Sequence, residues 1–317
     1  MSGPSLLITG GSGYLGRELT RYYLERGTFE RICILSRGEA RQAEMAREFS
    51  VTDRQRLRFF IGDVRDYGRM LRAMREIDVV IHAAALKRVE VGEYNPIEMV
   101  RTNVDGAINV AEAAIEQGVA RVIAVSSDKA CEPLNCYGAT KLVAEKVFLG
   151  ANNTTPSGGT RFAVCRYGNV AGSTGSVIPT WRTLIDRQAA EGVRPTVPVT
   201  DPSCTRFWMT VEKAATMIDW TLENAEGGEL VVPTLPSYTL GDLAEAMGAD
   251  MRVLGLGQGE KVDETMVAPF ESQRFRYVEP YLVAGGLAER RGNPIEFCRP
   301  RHMSAQELKQ RLAELRL

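Results

Sequence analysis

The chain has 317 residues, 44% hydrophobic and 25% charged, enough to bury a large core in one large or two ordinary domains, with a globular protein as the default. Lys and Arg total 39 against 40 Asp and Glu, so the near-neutral balance gives no electrostatic reason to expect nucleic acid or an anionic membrane as a partner. No stretch approaches membrane-spanning length, the opening residues lack the pattern of a signal peptide, and six cysteines without CxxC spacing fit a reduced cytoplasmic setting.

From Ser5 to about Tyr167, short apolar strands alternate with amphipathic helices, the pattern of an α/β doubly wound parallel sheet of Rossmann type. Strands are predicted at residues 6–9, 31–35, 58–61, 79–82, 122–125 and 162–166, each separated from the next by enough chain to cross over as a helix. After Gly168 the sequence turns rich in Gly, Pro, Ser and Thr, with helices expected near 211–224 and 240–247. Residues 1–170 thus read as a dinucleotide-binding domain, with a returning segment at about 205–225, and residues 171–317 as a smaller, mainly substrate-binding region. A helix at 100–117 is suited either to an intersubunit bundle or to packing on the sheet.

Directly after the first strand comes Thr9-Gly-Gly-Ser-Gly-Tyr-Leu-Gly16, and a helical segment follows at once. Gly10 permits the tight turn, Gly13 lets the backbone approach a pyrophosphate, and Gly16 allows close helix packing, while the helix N-terminus offers unpaired N–H groups to an anion. Ser12, Tyr14 and Leu15 belong to the same cofactor-binding loop. A simple glycine turn is the competing reading, and the strand before and helix after argue against it. The second strand ends in Ser36-Arg37, where an acid would ordinarily hold the ribose diol of NAD; a hydroxyl and a guanidinium suit the 2′-phosphate of NADP. Asp63 and Val64 after the third strand are placed beside the adenine, and Ala83, Ala84 and Ala85 after the fourth leave room for the cofactor backbone.

Asp128 and Lys129 follow the fifth strand and should emerge at its carboxyl end. Tyr137 and Lys141 are four residues apart, so on a helix they share a face, and an ammonium there can stabilise a phenolate that takes a hydroxyl proton. A solvated turn pair and an ordinary helix pair are the plainer readings of each couple taken alone. His82 reads as a strand-end core or loop residue, His302 as a surface residue, and Phe207-Trp208 as core; two isolated histidines without further ligands give no metal site.

The segments Phe59-Phe-Ile-Gly-Asp-Val-Arg65, His82-Ala-Ala-Ala-Leu-Lys87, Glu93-Tyr-Asn-Pro96, Ser127-Asp-Lys-Ala130, Tyr137-Gly-Ala-Thr-Lys141, Arg166-Tyr-Gly-Asn-Val170 and Thr205-Arg-Phe-Trp208 occur in order over most of the chain. In them the chain resembles the extended short-chain dehydrogenase/reductase superfamily, and more narrowly the soluble, inverting UDP-N-acetylglucosamine 4,6-dehydratases of polysaccharide biosynthesis. The resemblance implies tightly held NADP recycled within each turnover, homo-oligomeric assembly and a nucleotide-linked sugar as substrate. It gives Tyr137 the sugar hydroxyl proton, Lys129 the proton acidified by oxidation, and Asp128 the protonation or orientation of the departing hydroxyl. Ser127 would hydrogen-bond the reacting hydroxyl, and Lys141 would orient the nicotinamide ribose and lower the phenol pKa. Lys87 would contact cofactor and substrate, Asn103 would belong to the cofactor site, and Asn169 and Arg206 would be substrate contacts.

The substrate end departs from the family. Its usual Arg-Pro-Gly-Glu, whose arginine can hold a diphosphate, is here Gly257-Gln-Gly-Glu260; an Arg before Gly-Ser-Val is Thr174, a basic residue before Thr205 is replaced by Ser203-Cys204, and a Tyr-Ser-Ser-containing tail is Phe297-Cys-Arg299. Arg182, Arg299 or Arg301 would have to compensate. These changes open the alternatives of another nucleotide sugar, or of a nucleoside whose own sugar is dehydrated or epimerised. A net dehydrogenase of the superfamily and a non-catalytic nucleotide-binding sensor or scaffold are the further alternatives.

Overall fold

The computed structural model describes residues 3–286, 293–294 and 300–315. Six parallel strands lie within one residue of their predicted ends: β1 Ser5–Thr9, β2 Arg31–Ser36, β3 Leu57–Ile61, β4 Val79–His82, β5 Arg121–Val125 and β6 Arg161–Cys165. They form because runs such as Leu6-Leu7-Ile8 and Val80-Ile81 are buried, as a sheet covered by helices on both faces requires. Downstream come β7 (Thr196–Val199), β8 (Thr205–Phe207), β9 (Leu230–Pro233), β10 (Ser237–Thr239), β11 (Asp250–Val253), β12 (Phe275–Val278), β13 (Tyr281–Ala284) and β14 (Asn293–Pro294).

The main sheet has the order β14-β12-β13-β9-β6-β5-β4-β1-β2-β3. Its β1–β6 part is the Rossmann arrangement, and the chain reverses direction of growth between β1 and β4, the place where such sheets open a crevice at their carboxyl ends. Thr9 is in register with Leu35 on one side and His82 on the other, so the loops that follow these three strands leave the sheet together. The returning part is larger than expected. The helix Val211–Asn224 stands where it was predicted, but β9 also adds parallel to β6, and β13, β12 and β14 continue antiparallel beyond it. Two- to four-residue strands carry too little periodicity to be separated from loop sequence.

The single helix expected at 100–117 is divided. Arg101–Asp105 forms a π-helical turn and Gly106–Glu116 the α-helix that follows. The wide turn points Thr102 and Asn103 inward, where both are buried. A second, smaller apolar cluster, including Trp181, Trp208, Tyr238, Leu243 and Leu308, gathers the segments around β7, β8, β10 and β11. Trp208 is core there, its ring edge-on to Tyr238 at 6.0 Å. No helix among the described residues is long and apolar enough to cross a membrane.

Candidate functional site

The glycine loop is built by contacts that leave no room for side chains. Gly10 has φ +68°, and a Cβ there would lie 2.8 Å from the Ala84 backbone, so β1 and β4 can deliver their loops side by side only with glycine at this position. A Cβ on Gly16 would collide with the backbone of Gly11, which is how the helix Tyr14–Arg26 comes so close to the loop. Gly13 caps that helix without any side-chain hydrogen bond, leaving its first N–H groups open to an anion. Tyr14 hydroxyl reaches the Ala171 carbonyl at 3.4 Å, and Leu15 packs against the core. These features fit a dinucleotide pyrophosphate: a cradle free of side chains facing a helix N-terminus.

At the end of β2, Ser12 Oγ donates to Ser36 Oγ at 2.9 Å, and buried Gln42 donates to the same oxygen at 2.9 Å and to the Phe60 carbonyl at 2.9 Å. The Ser36 hydroxyl is therefore fixed by protein. Arg37 is more than half exposed and 3.9 Å from Asp63, whose carboxylate also receives Arg65 at 2.7 Å. Burial opposes ionisation of Asp63, but the hydrogen bonds from Arg65 prevail and hold its carboxyl below the ordinary range. Val64 is buried against Gly106. The Ala83–Ala85 stretch follows β4 beside Gly10, and Lys87, at the end of the same loop, is exposed. Asn103 is committed to protein: its amide pairs with both the N–H and the carbonyl of Leu86, at 2.8 and 2.9 Å, and donates to Thr140 Oγ1 at 3.0 Å. It braces the β4 loop against the helix Cys136–Ala151.

The acid, the Lys129 amine and the phenol converge. Asp128, with no exposed surface, accepts from Ser127 Oγ at 2.8 Å and from Lys129 Nζ at 3.2 Å. Lys129 also donates to Asn169 Oδ1 at 3.2 Å and pairs with Glu264 at 3.0 Å. Burial alone would favour its neutral amine, but the Asp128 and Glu264 carboxylates outweigh that and raise its pKa above that of an ordinary lysine. Tyr137 is buried on the helix Cys136–Ala151, and its phenol stands against the Ser127 hydroxyl.

Two electrostatic expectations change here. Burial raises the Tyr137 pKa, and the groups that oppose this are Ser127 and Lys129. Lys141 instead donates to the Val125 carbonyl at 2.6 Å, and burial pushes its pKa down to about 8. Lys129, not Lys141, is the cation acting on the phenol in this arrangement. His82, buried at the end of β4, shares a 2.8 Å hydrogen bond between Nδ1 and Thr9 Oγ1, and burial pushes its pKa down to about 3. Among the described residues no group of three or more His, Cys, Asp and Glu is placed to hold a metal ion.

A cavity of about 510 Å³ opens beside this cluster, lined in part by Lys129, Glu264, Arg206, Tyr94 and Gly257–Glu260. Arg206 is buried, its Nη1 donates to the carbonyls of Thr205, Lys261 and Val262, and it meets no carboxylate among the described residues. Arg301 is paired with Glu307 at 2.7 Å, and Arg299 lies outside the described residues. The cavity wall at 257–264 is fastened to the sheet side: Asn135 Nδ2 donates to the Gly259 carbonyl at 2.8 Å and Lys261 Nζ to the Cys131 carbonyl at 2.7 Å. Deeper in, fully buried Arg166 forks onto Glu145 at 2.7 Å and Glu271 at 2.8 Å.

Sequence reasoning missed Glu264, Glu145 and Glu271. For Glu264 the signal is tertiary: Thr205 pairs with Asp263 as an isolated bridge and Thr205 Oγ1 donates to its carboxylate at 2.7 Å, so the neighbouring side chain points the opposite way, toward Lys129.

Residues 6–284 match the family model described as polysaccharide biosynthesis protein. A UDP-N-acetylglucosamine 4,6-dehydratase (inverting) of Campylobacter jejuni is 44% identical over 279 residues, 87% of this chain and 81% of that protein. A UDP-glucose 4-epimerase of Rickettsia akari is 38% identical over 83% of this chain and 77% of its own length. Among solved structures, Pen from Bacillus thuringiensis superposes with a TM-score of 0.91 at 34% identity, covering 99% of both chains. DesIV, a dTDP-glucose 4,6-dehydratase from Streptomyces venezuelae, shares the fold with a TM-score of 0.72 at 23% identity, covering 98% of this chain and 96% of its own.

Proposed function

Because the chain belongs to the polysaccharide biosynthesis protein family, within the extended short-chain dehydrogenase/reductases, we propose that it is a dehydratase of a nucleotide-linked sugar, using NADP that is recycled within each turnover. The observation that carries this reading is the chain of contacts from Tyr137 through Ser127 and Asp128 to Lys129 at the wall of a cavity large enough for a sugar.

In this reading Gly10, Gly13 and the first turn of the helix Tyr14–Arg26 hold the pyrophosphate, Ser36 and Arg37 take the 2′-phosphate, and Lys141 orients the nicotinamide ribose. The bound dinucleotide supplies reversible hydride acceptance from the sugar. Tyr137 takes the hydroxyl proton, with Ser127 holding that hydroxyl in place. Lys129 removes the proton next to the new ketone, and Asp128 orients the hydroxyl that departs. Arg206, a buried guanidinium whose partners among the described residues are backbone carbonyls, is the group best placed to meet an anionic part of the substrate. Because Gly257-Gln258-Gly259 brings no cation to the cavity wall, a substrate other than UDP-N-acetylglucosamine is the second reading.

The test is incubation in heavy water with UDP-N-acetylglucosamine, other nucleotide sugars and nucleosides, without added cofactor, followed by product mass. Water loss with deuterium uptake is the expected result. Uptake without water loss identifies an epimerase, and no change with any substrate, with or without added NADP, overturns the catalytic reading.

A further inference from the structure

Lys129 cannot act as a base in the arrangement observed. An ammonium has three protons, and Nζ has three oxygen partners: Asp128 Oδ1 at 3.2 Å, Asn169 Oδ1 at 3.2 Å and Glu264 Oε1 at 3.0 Å. No lone pair is left for a substrate C–H. One proton must move first, and the three acceptors are not equivalent. The Asn169 amide oxygen is a poor proton acceptor. Asp128 Oδ1 already receives the Ser127 hydroxyl at 2.8 Å. Glu264 Oε1 has the shortest contact with Nζ and, unlike Asp128 Oδ1, receives no second side-chain donor among the described residues. The other oxygens of both carboxylates are buried without a partner there, so the distance and the free Oε1 single out Glu264.

We propose that Glu264 is the positioning residue that prepares Lys129 for elimination, by accepting one Nζ proton and holding it until the hydroxyl departs. This deepens the proposed dehydratase function and rests on it. In the first transfer an Nζ–H bond breaks and an Oε1–H bond forms, so an ammonium and a carboxylate become an amine and a carboxylic acid. The amine then takes the proton acidified by the neighbouring ketone, which restores the ammonium, and the C–H electron pair forms the alkene as the C–O bond breaks. The departing hydroxyl takes a proton relayed from Glu264 through Nζ and Asp128 Oδ1, and leaves as water. Substrate loses one proton and one hydroxide, and the Lys129–Glu264 pair ends as it began.

The charged and titratable groups facing Lys129 are Asp128, Glu264 and Arg206, with the phenols of Tyr137 and Tyr238 beside them. Arg206 disfavours the ammonium, and the two carboxylates favour it. Filling the cavity with substrate excludes water, which favours the neutral pair over the charged one.

The experiment compares the full-length protein with Glu264→Gln and Glu264→Asp. In single turnover, Glu264→Gln should reduce bound cofactor within about twofold of the parent, while water loss and deuterium uptake fall by about 10²-fold or more at neutral pH. Its elimination rate should climb with pH as solvent deprotonates Lys129, whereas the parent stays flat, and Glu264→Asp should regain part of the rate. Parental elimination and an unchanged pH profile in Glu264→Gln overturn the proposal. So does loss of cofactor reduction together with elimination in both variants, which marks a structural role. A substrate-free measurement separates this from the dehydratase reading: ¹⁵N-lysine NMR should show Lys129 titrating at lower pH in Glu264→Gln. An unmoved titration overturns the role of Glu264 even if catalysis stands. A parent that turns over no nucleotide sugar, with the titration shifted, instead overturns the dehydratase reading and leaves the Lys129–Glu264 coupling in place.

Discussion

Lys141 Nζ donates to the Val125 carbonyl at 2.6 Å, tying the first turns of the helix Cys136–Ala151 to the carboxyl end of β5. Burial lowers the ammonium pKa from 10.5 to about 8, against the partial opposition of Glu145. A group whose folded pKa is depressed in this way binds its proton more weakly in the folded chain than in the unfolded one. Between pH 8 and 10.5 the unfolded chain therefore carries the extra proton, and unfolding free energy rises with pH. The full span is on the order of 3 kcal/mol. Urea midpoints of the parent should climb across that window relative to Lys141→Met, and parallel curves for the two proteins would refute the assignment.

Arg166→Met should be among the most damaging substitutions outside the glycine loop. The guanidinium has no exposed surface and neutralises Glu145 and Glu271 together, so its removal strands two carboxylates, one of them fully enclosed. Breaking such a pair costs about 3–5 kcal/mol. Equilibrium denaturation should show this as a lower midpoint with an unchanged slope, and a loss under about 1 kcal/mol would mean that the network relaxes around the gap.

Gly10→Ala and Gly16→Ala test the nucleotide cradle in different ways. At Gly10 the left-handed backbone alone costs an L-residue about 1–2 kcal/mol, and the new Cβ also presses on Ala84. At Gly16 the backbone is helical and the whole effect comes from pushing the helix Tyr14–Arg26 off Gly11. Both should lose dinucleotide binding in calorimetry, with Gly10→Ala also separating β1 and β4 loops. Retained affinity in both would place the cofactor elsewhere.

Arg37→Ala should weaken NADP by about tenfold or more while leaving NAD within about twofold, since a charged hydrogen bond to phosphate is worth about 1.5–3 kcal/mol. Equal affinities of the parent for the two dinucleotides would remove the 2′-phosphate assignment. Arg65 keeps Asp63 paired when Arg37 is gone, so the substitution leaves no new unpaired carboxylate.

The strands β1–β6 were readable from sequence because each is a short, mostly apolar run, and the Tyr137 and Lys129 neighbourhoods because strand ends in a doubly wound sheet are fixed once the strands are known. What sequence spacing could not supply is which cation meets which anion. Tyr137 and Lys141 share a helix face as expected, yet the Val125 carbonyl captures the lysine and leaves the phenol to Lys129. Glu264 comes from a segment 135 residues downstream of Lys129 and is turned inward by a single bridge to β8. No local periodicity encodes that meeting. Asn103, expected at the cofactor site, is held by its π-helical turn against Leu86 and Thr140, a contact that spacing does not encode.

The sheet carries a consequence for synthesis on the ribosome. β6 hands its outer hydrogen bonds to a strand made some sixty-five residues later: Val164 and Arg166 donate to the carbonyls of Glu229 and Val231 at 2.9 Å each. A polypeptide released near residue 170 would hold every nucleotide-loop glycine and still end in an open β edge, a ready template for pairing with other chains. Nonsense products of that length are expected in inclusion bodies rather than as a detachable nucleotide-binding module, and the nascent protein must emerge past Pro233 before the β6 seam can close.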